Sequence, residues 1–310
     1  MVVDDRGIGA VLFTPPCLAT GRLAIGLQHL VAAGFIVTSL DRLRLDEEAV
    51  RRVWEAQAGE FTAERWDVAV ELFTAGPSAL AIVVGDAVEA SHPVADQLKV
   101  LQGPSDPDLL ERHHLRARLQ AANKVNNLVH VPADPAAVVR EVAIMAPPRA
   151  SANLWREASE ARPLRDLGSL ADAFATSGSV CVVRNALRLR RRALRQAEIA
   201  AGEPPEALRE ELRAGSRWVA ALAGLEGAGA LRRWRRECFE DRFGDSLAAW
   251  LDPEEPVCRA MRAVDKVLRG EPIRVSLLEA ELAACGVDPD RWEFLSLATE
   301  VVSEEARRCA

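Results

Sequence analysis

The strand signal of this 310-residue chain fades at Pro147-Pro148, beyond which the pattern is almost purely helical, and that asymmetry limits the fold more than any other feature. Strands are predicted over 11–13, 35–43, 78–84 and around 128–131. The run at 78–84 is continuously apolar and stops at Gly85-Asp86, as a buried central strand does. Between the runs the period changes to that of a helix. Leu23, Leu27, Leu30 and Val31 share one face and Gly34 stands at the C-cap position. Helices over 47–58 and 63–73 carry Val50, Val53 and Trp54, then Ala69, Leu72 and Phe73, inward. The order β-α-β-α-α-β-α-β-α predicts an α+β domain, a sheet with helices on one face, and leaves the strand arrangement open.

Pro147-Pro148 breaks the helix predicted over 135–145 and begins a linker. Beyond it the pattern is helical, over 154–161, 167–176, 180–201, 205–225, 228–239, 246–250, 256–268, 275–284 and 289–306. Gly202-Glu203-Pro204-Pro205, Asp252-Pro253 and Gly286-Val287-Asp288-Pro289 punctuate it. No fixed-period repeat is present. Two domains are predicted, 1–146 of α+β type and 147–310 all-α.

Composition narrows the function. No apolar run approaches the roughly 20 residues that span a bilayer, and Asp4-Asp5-Arg6 is unlike a secretory leader, so a cytoplasmic protein without a membrane partner is expected. The six cysteines form no C-x-x-C pair and indicate neither a zinc site nor a disulfide framework. A net charge of -7 argues against a protein that coats nucleic acid. Gly7-Ile8-Gly9 precedes its strand and has no third glycine, so it is not a dinucleotide motif. All five histidines (His29, His92, His113, His114 and His130) lie in the first predicted domain, and imidazole chemistry belongs there.

Of these, His130 has the most telling surroundings. In Asn126-Asn127-Leu128-Val129-His130-Val131-Pro132-Ala133-Asp134-Pro135, the apolar residues read as a strand, Asp134 as an N-cap and Pro135 as the first helical residue. His130 is thereby placed between a sheet and a helix start. In an arbitrary sequence a histidine so placed is more often a packed strand-end residue satisfied by a backbone carbonyl.

The spacing of Asn127 and His130 resembles the active-site segment of the nucleoside diphosphate kinase family. The resemblance runs over about 7–146 and includes the element order and Ala75-Gly76-Pro77 opening the third strand. It implies a ferredoxin-like antiparallel sheet and phosphoryl transfer through a phosphohistidine at His130. Glu141, eleven residues on, matches the family glutamate that orients the ring. Magnesium with ATP or another nucleoside triphosphate is the implied cofactor, and family members assemble as hexamers or tetramers, which makes a homo-oligomer open to this chain.

The phosphate site departs from the family. Thr14-Pro15-Pro16-Cys17 stands where the family has Lys-Pro-Asp-Gly, so Thr14 replaces a lysine. Lys99 stands for an arginine, Ser105 for a threonine and Pro132 for a serine. The family's loop arginine has Arg116 and Arg118 on either side of its position, in a stretch, 108–120, that reads here as a helix. Trp66 or Phe61 lies near the place of the base-stacking ring, and Trp54 stands for a tyrosine. Asn127, Lys99, Ser105, Thr14 and Arg116 or Arg118 are the predicted phosphate contacts.

The predicted helical domain shows no resemblance that names a family. Arg184, Arg188, Arg191 and Arg195 share a helical face, with Arg190 and Arg192 beside it, and Leu231-Arg232-Arg233-Trp234-Arg235-Arg236 is a second basic cluster. RNA or another polyanion could bind there, against the plainer reading of solvated helix faces balanced by nearby glutamates. Three functions follow: a phosphotransferase, a degenerate nucleotide-binding or regulatory module, and an enzyme that uses the nucleotide cleft on a second, non-nucleotide small molecule.

Overall fold

The computed structural model describes residues 7–85, 92–201, 227–238 and 252–308, with Glu206, Glu210 and Arg213 as isolated positions. The chain divides into two compact units, Met1–Gly178 and Ser179–Ala310. In the first, β1 (Ile8–Phe13), β2 (Ile36–Leu43), β3 (Ser78–Val84) and β4 (Val129–His130) form one sheet in the order β2-β3-β1-β4. All pairings are antiparallel, from Ile8↔Val84 to Phe13↔Ala79 and from Ile36↔Val84 to Leu43↔Ser78. This is the strand order of a ferredoxin-like sheet. Every residue of β1 and β3 is buried, as expected of strands with neighbours on both sides. At the edge, β4 pairs only Val129 and His130, with Phe13 and Leu12.

Both faces of the sheet are buried, which corrects the prediction of helices on one face. Val11, Phe13, Ala79, Ala81 and Val83 meet Leu23, Leu27 and Leu30 of α2 (Leu23–Ala32), which follows α1 (Pro15–Ala19). The alternate residues Leu12, Leu80 and Ile82 are no more than 1% exposed. Continuously apolar strands have no polar face to offer water. α3 (Glu47–Val53) ends sooner than predicted and continues as a 3-10 turn, Glu55–Glu60, before α4 (Ala63–Thr74). α5 (Val94–Gln102) lies so close to β1 that a Cβ on Gly9 would meet Leu98 Cδ1 at 2.3 Å. That proximity brings Lys99 and Gln102 to the edge strand.

The helix predicted over 108–120 does not form. A 3-10 turn, Pro107–Leu109, and the short α6 (Leu115–Arg118) replace it. Asp106 Oδ1 accepts from Asp108 N and His114 Nδ1 from Glu111 N, local bonds that compete with helical ones. After α7 (Pro135–Met145), Pro148 does not open a linker. It is the first residue of α8 (Pro148–Glu160), where proline lacks only an N–H that has no helical partner. α8 packs on β2 and β3, α9 (Leu167–Phe174) packs on α2, and Leu164 N donates to Val37 O at 2.7 Å. The predicted boundary at 146/147 therefore falls inside the first compact unit.

Among the described residues, every regular element of the second unit is a helix: α10 (Val182–Ala201), α11 (Gly227–Cys238), α12 (Pro256–Arg269), α13 (Val275–Ala284) and α14 (Arg291–Arg308). Leu187, Leu194, Trp234, Met261, Val264 and Leu297 belong to their shared core. The helix predicted over 246–250 lies outside the described residues, as does most of 205–225. No helix among the described residues is long and apolar enough to cross a membrane.

Candidate functional site

β4 ends the sheet at His130, directly opposite Leu12. The chain then turns, and Asp134 Oδ1 accepts from Ala137 N at 2.7 Å to cap α7, with Pro135 as its first residue. This cap sets the phase of α7 so that Glu141 faces back to the strand. Glu141 Oε2 lies 2.7 Å from His130 Nε2, and its Oε1 accepts from Arg140 Nη2 at 3.2 Å. Both partners are buried, His130 at 9% and Glu141 at 4% exposure. Trp54, just past α3, closes another side: its ring centroid is 4.7 Å from that of His130, tilted 56°, and the same ring stacks on Phe73 with centroids 4.5 Å apart.

Burial is the main influence on the His130 pKa and pulls it below the ordinary imidazole value of 6.5. The Glu141 hydrogen bond and charge oppose this shift, while Lys99 and Arg116 reinforce it. The neutral ring thus predominates near pH 7. A carboxylate can only accept, so Nε2 carries the proton and Nδ1 keeps its lone pair.

Lys99 and Arg116 approach this pair differently. Lys99 is exposed as a residue, but its ammonium reaches in to donate to Val131 O at 3.3 Å, and burial of that end, then Arg116, lowers its pKa. Arg116 is buried, donates to Gly103 O at 2.7 Å and Val129 O at 3.4 Å, and is brought down to about 10 by burial.

The other predicted site residues divide. Thr14 is 1% exposed and its hydroxyl has no partner, so it lies within the protein and not on a phosphate-accessible wall. Asn127 is half-buried and donates to Lys124 O at 3.3 Å. Ser105 is exposed on the turn after α5, and Arg118 is exposed at the end of α6. The ring against His130 is Trp54; Trp66 instead pairs with Phe61, centroids 5.6 Å apart, with the Arg65 guanidinium 4.1 Å over Phe61. The arginine clusters of the second unit are partly absorbed by acids. Arg190 is paired with Asp265, Arg192 with Glu293, and Arg235 with Glu300 and Glu304, whereas Arg188, Arg191 and Arg195 are exposed.

Gln102 and Leu128 also belong to the surroundings of His130, though no sequence motif marks either. Gln102 is fully buried and donates to Val129 O at 3.1 Å. Its signal was a polar residue four after Leu98, in the buried stripe of α5. Leu128 sits at φ 69°, a left-handed conformation that branched residues rarely adopt.

Among the described residues no group of three or more His, Cys, Asp or Glu side chains could hold a metal ion. Glu141, the carboxylate at the site, is already engaged with His130 and Arg140. A magnesium ion on a triphosphate takes most of its oxygens from phosphate and water, and no residue here is assigned to it.

No family model and no curated protein matches the chain. Among solved structures, an orthorhombic crystal form of the Aquifex aeolicus nucleoside diphosphate kinase is 18% identical. The match covers 44% of this chain and 92% of that one, at a TM-score of 0.38. An NDP kinase from Pyrobaculum aerophilum is 14% identical, over 46% of this chain and 97% of that one, also at 0.38. Neither likeness decides the chemistry, which has to come from the side chains themselves.

Proposed function

We propose that the first unit is a nucleotide-dependent phosphotransferase of the nucleoside diphosphate kinase type, with His130 Nδ1 as the nucleophile. The observation that carries this reading is the 2.7 Å contact of Nε2 with Glu141, which holds the proton on one nitrogen and leaves the other nucleophilic. In the first half-reaction Nδ1 bonds to the terminal phosphorus as the bond from phosphorus to the bridging oxygen breaks, and the nucleoside diphosphate leaves with that electron pair. In the second half-reaction an acceptor oxygen takes the phosphoryl group and returns the pair to Nδ1. Glu141 stabilises the positive charge that the ring gains while it is phosphorylated, and Lys99 stands beside it as a cation for the transferring group. Exposed Ser105 and Arg118 and half-buried Asn127 are assigned to the phosphates, and the Phe61-Trp66 pair to the base. Bound magnesium would supply charge neutralisation to the triphosphate.

The test is incubation of the full chain with γ-labelled ATP. Label that is acid-labile and alkali-stable, and lost in His130→Ala with ATP binding retained, supports the reading. An unlabelled wild type that still binds ATP leaves a regulatory nucleotide-binding module, which the uncharged, buried Thr14 favours. No ATP binding at all overturns both.

A further inference from the structure

Three side chains of α5 and α6 reach the backbone on either side of His130. Gln102 Nε2 donates to Val129 O at 3.1 Å, Arg116 Nη2 to the same carbonyl at 3.4 Å, and Lys99 Nζ to Val131 O at 3.3 Å. One residue earlier, Leu128 O accepts from Thr14 N at 3.1 Å. The carbonyls flanking the histidine are therefore each held from outside the strand, by α5 and α6.

β4 needs that support. It contributes only two residues to the sheet and has a partner strand on one side, so the ladder alone does little to fix the peptide planes around His130. Leu128, just before it, holds a conformation that persists only where the surroundings over-determine it. The bracing also has a cost in unpaired groups. Gln102 Oε1 and Arg116 Nε are both buried without partners, although an apolar side chain in the place of Gln102 in the α5 stripe would carry no amide oxygen to orphan.

We infer that Gln102 is a positioning residue for His130. By holding the Val129 carbonyl together with Arg116, it fixes the peptide from which the imidazole projects and keeps Nε2 directed at Glu141. The consequence for catalysis rests on the phosphotransfer reading, while the effect on the ring does not.

The experiment is nitrogen-15 histidine NMR of the full chain, wild type and Gln102→Met, with the rate of labelling by γ-labelled ATP measured alongside. In the wild type His130 should be the Nε2–H tautomer with a titration midpoint below 6.5. In Gln102→Met the Nε2–H population should fall, the midpoint should move, and labelling should slow at least about tenfold with little change in KM for ATP. A folded variant with altered melting but the wild-type tautomer and midpoint overturns the inference. If Gln102→Met does not fold, Gln102→Leu and Gln102→Asn are read in the same way. Misfolding of all three while His130→Ala folds makes Gln102 a folding residue and overturns it too. A tautomer change in a protein that never labels supports the positioning role and removes the phosphotransfer reading instead.

Discussion

His130-Glu141 in the first unit and Arg190-Asp265 in the second are both buried pairs, at 2.7 and 2.8 Å, and the physics they serve is different. Arg190 and Asp265 tie α10 to α12 as fixed opposite charges, and each neutralises the other's burial. Arg235 with Glu300 and Glu304, and Arg307 with Glu304, repeat the theme. At His130 the cation is optional. The ring is held neutral against a carboxylate, two like-charged groups, Lys99 and Arg116, press its pKa down, and a strained residue precedes it. A buried pair of permanent charges is a structural joint. A buried pair with one titratable member pushed off its ordinary value is where chemistry is to be sought.

The largest effect expected from this contrast is in the second unit. Arg190→Met removes the guanidinium from the buried pair with Asp265 and should destabilise by about 3–5 kcal/mol, and adding Asp265→Leu should recover part of the loss. Urea unfolding of the single and double variants measures it, and a single-variant loss below about 1 kcal/mol would erase the distinction.

Glu141→Gln should act on chemistry more than on stability. The amide can still bond Nε2 but brings no negative charge, so labelling should slow by about 100-fold, equivalent to roughly 2.7 kcal/mol. Quench-flow labelling checks this, and a wild-type rate would make Glu141 a packing residue.

A smaller effect is expected with pH. His130 binds its proton more weakly in the folded than in the unfolded chain, so its contribution to stability is complete above pH 6.5 and is lost as pH falls from there through the folded pKa. Labelling should accordingly survive acidification to below pH 6.5. Removing the Glu141 charge removes an influence that raises the pKa, so the acid limb of Glu141→Gln should lie lower still. An acid limb at or above 6.5 in the wild type would contradict the burial argument.

The smallest effect belongs to Thr14. Its hydroxyl is buried and unpartnered, so Thr14→Val should be neutral or stabilising by up to about 1 kcal/mol and should leave labelling unchanged. Slower labelling would return Thr14 to the phosphate site from which its burial removes it.

What the sequence determined by itself was local. The strand at 78–84 matches β3 at both ends because continuous apolar character is a property of adjacent residues. The start of α7 is legible in Asp134-Pro135, an N-cap followed by proline, whereas the pairing of Glu141 with His130 is implied by the family resemblance and not by spacing alone. Tertiary structure decided what depends on chain segments far apart. It buried Thr14, brought Arg116 as well as Lys99 to act on the charge of His130, and placed Trp54 rather than Trp66 against the ring. It added α8 and α9 to the first unit and turned Arg190 from part of a basic face into the partner of Asp265, 75 residues away. Burial and charge pairing are settled by which surfaces meet, and residue spacing along one chain segment does not encode that.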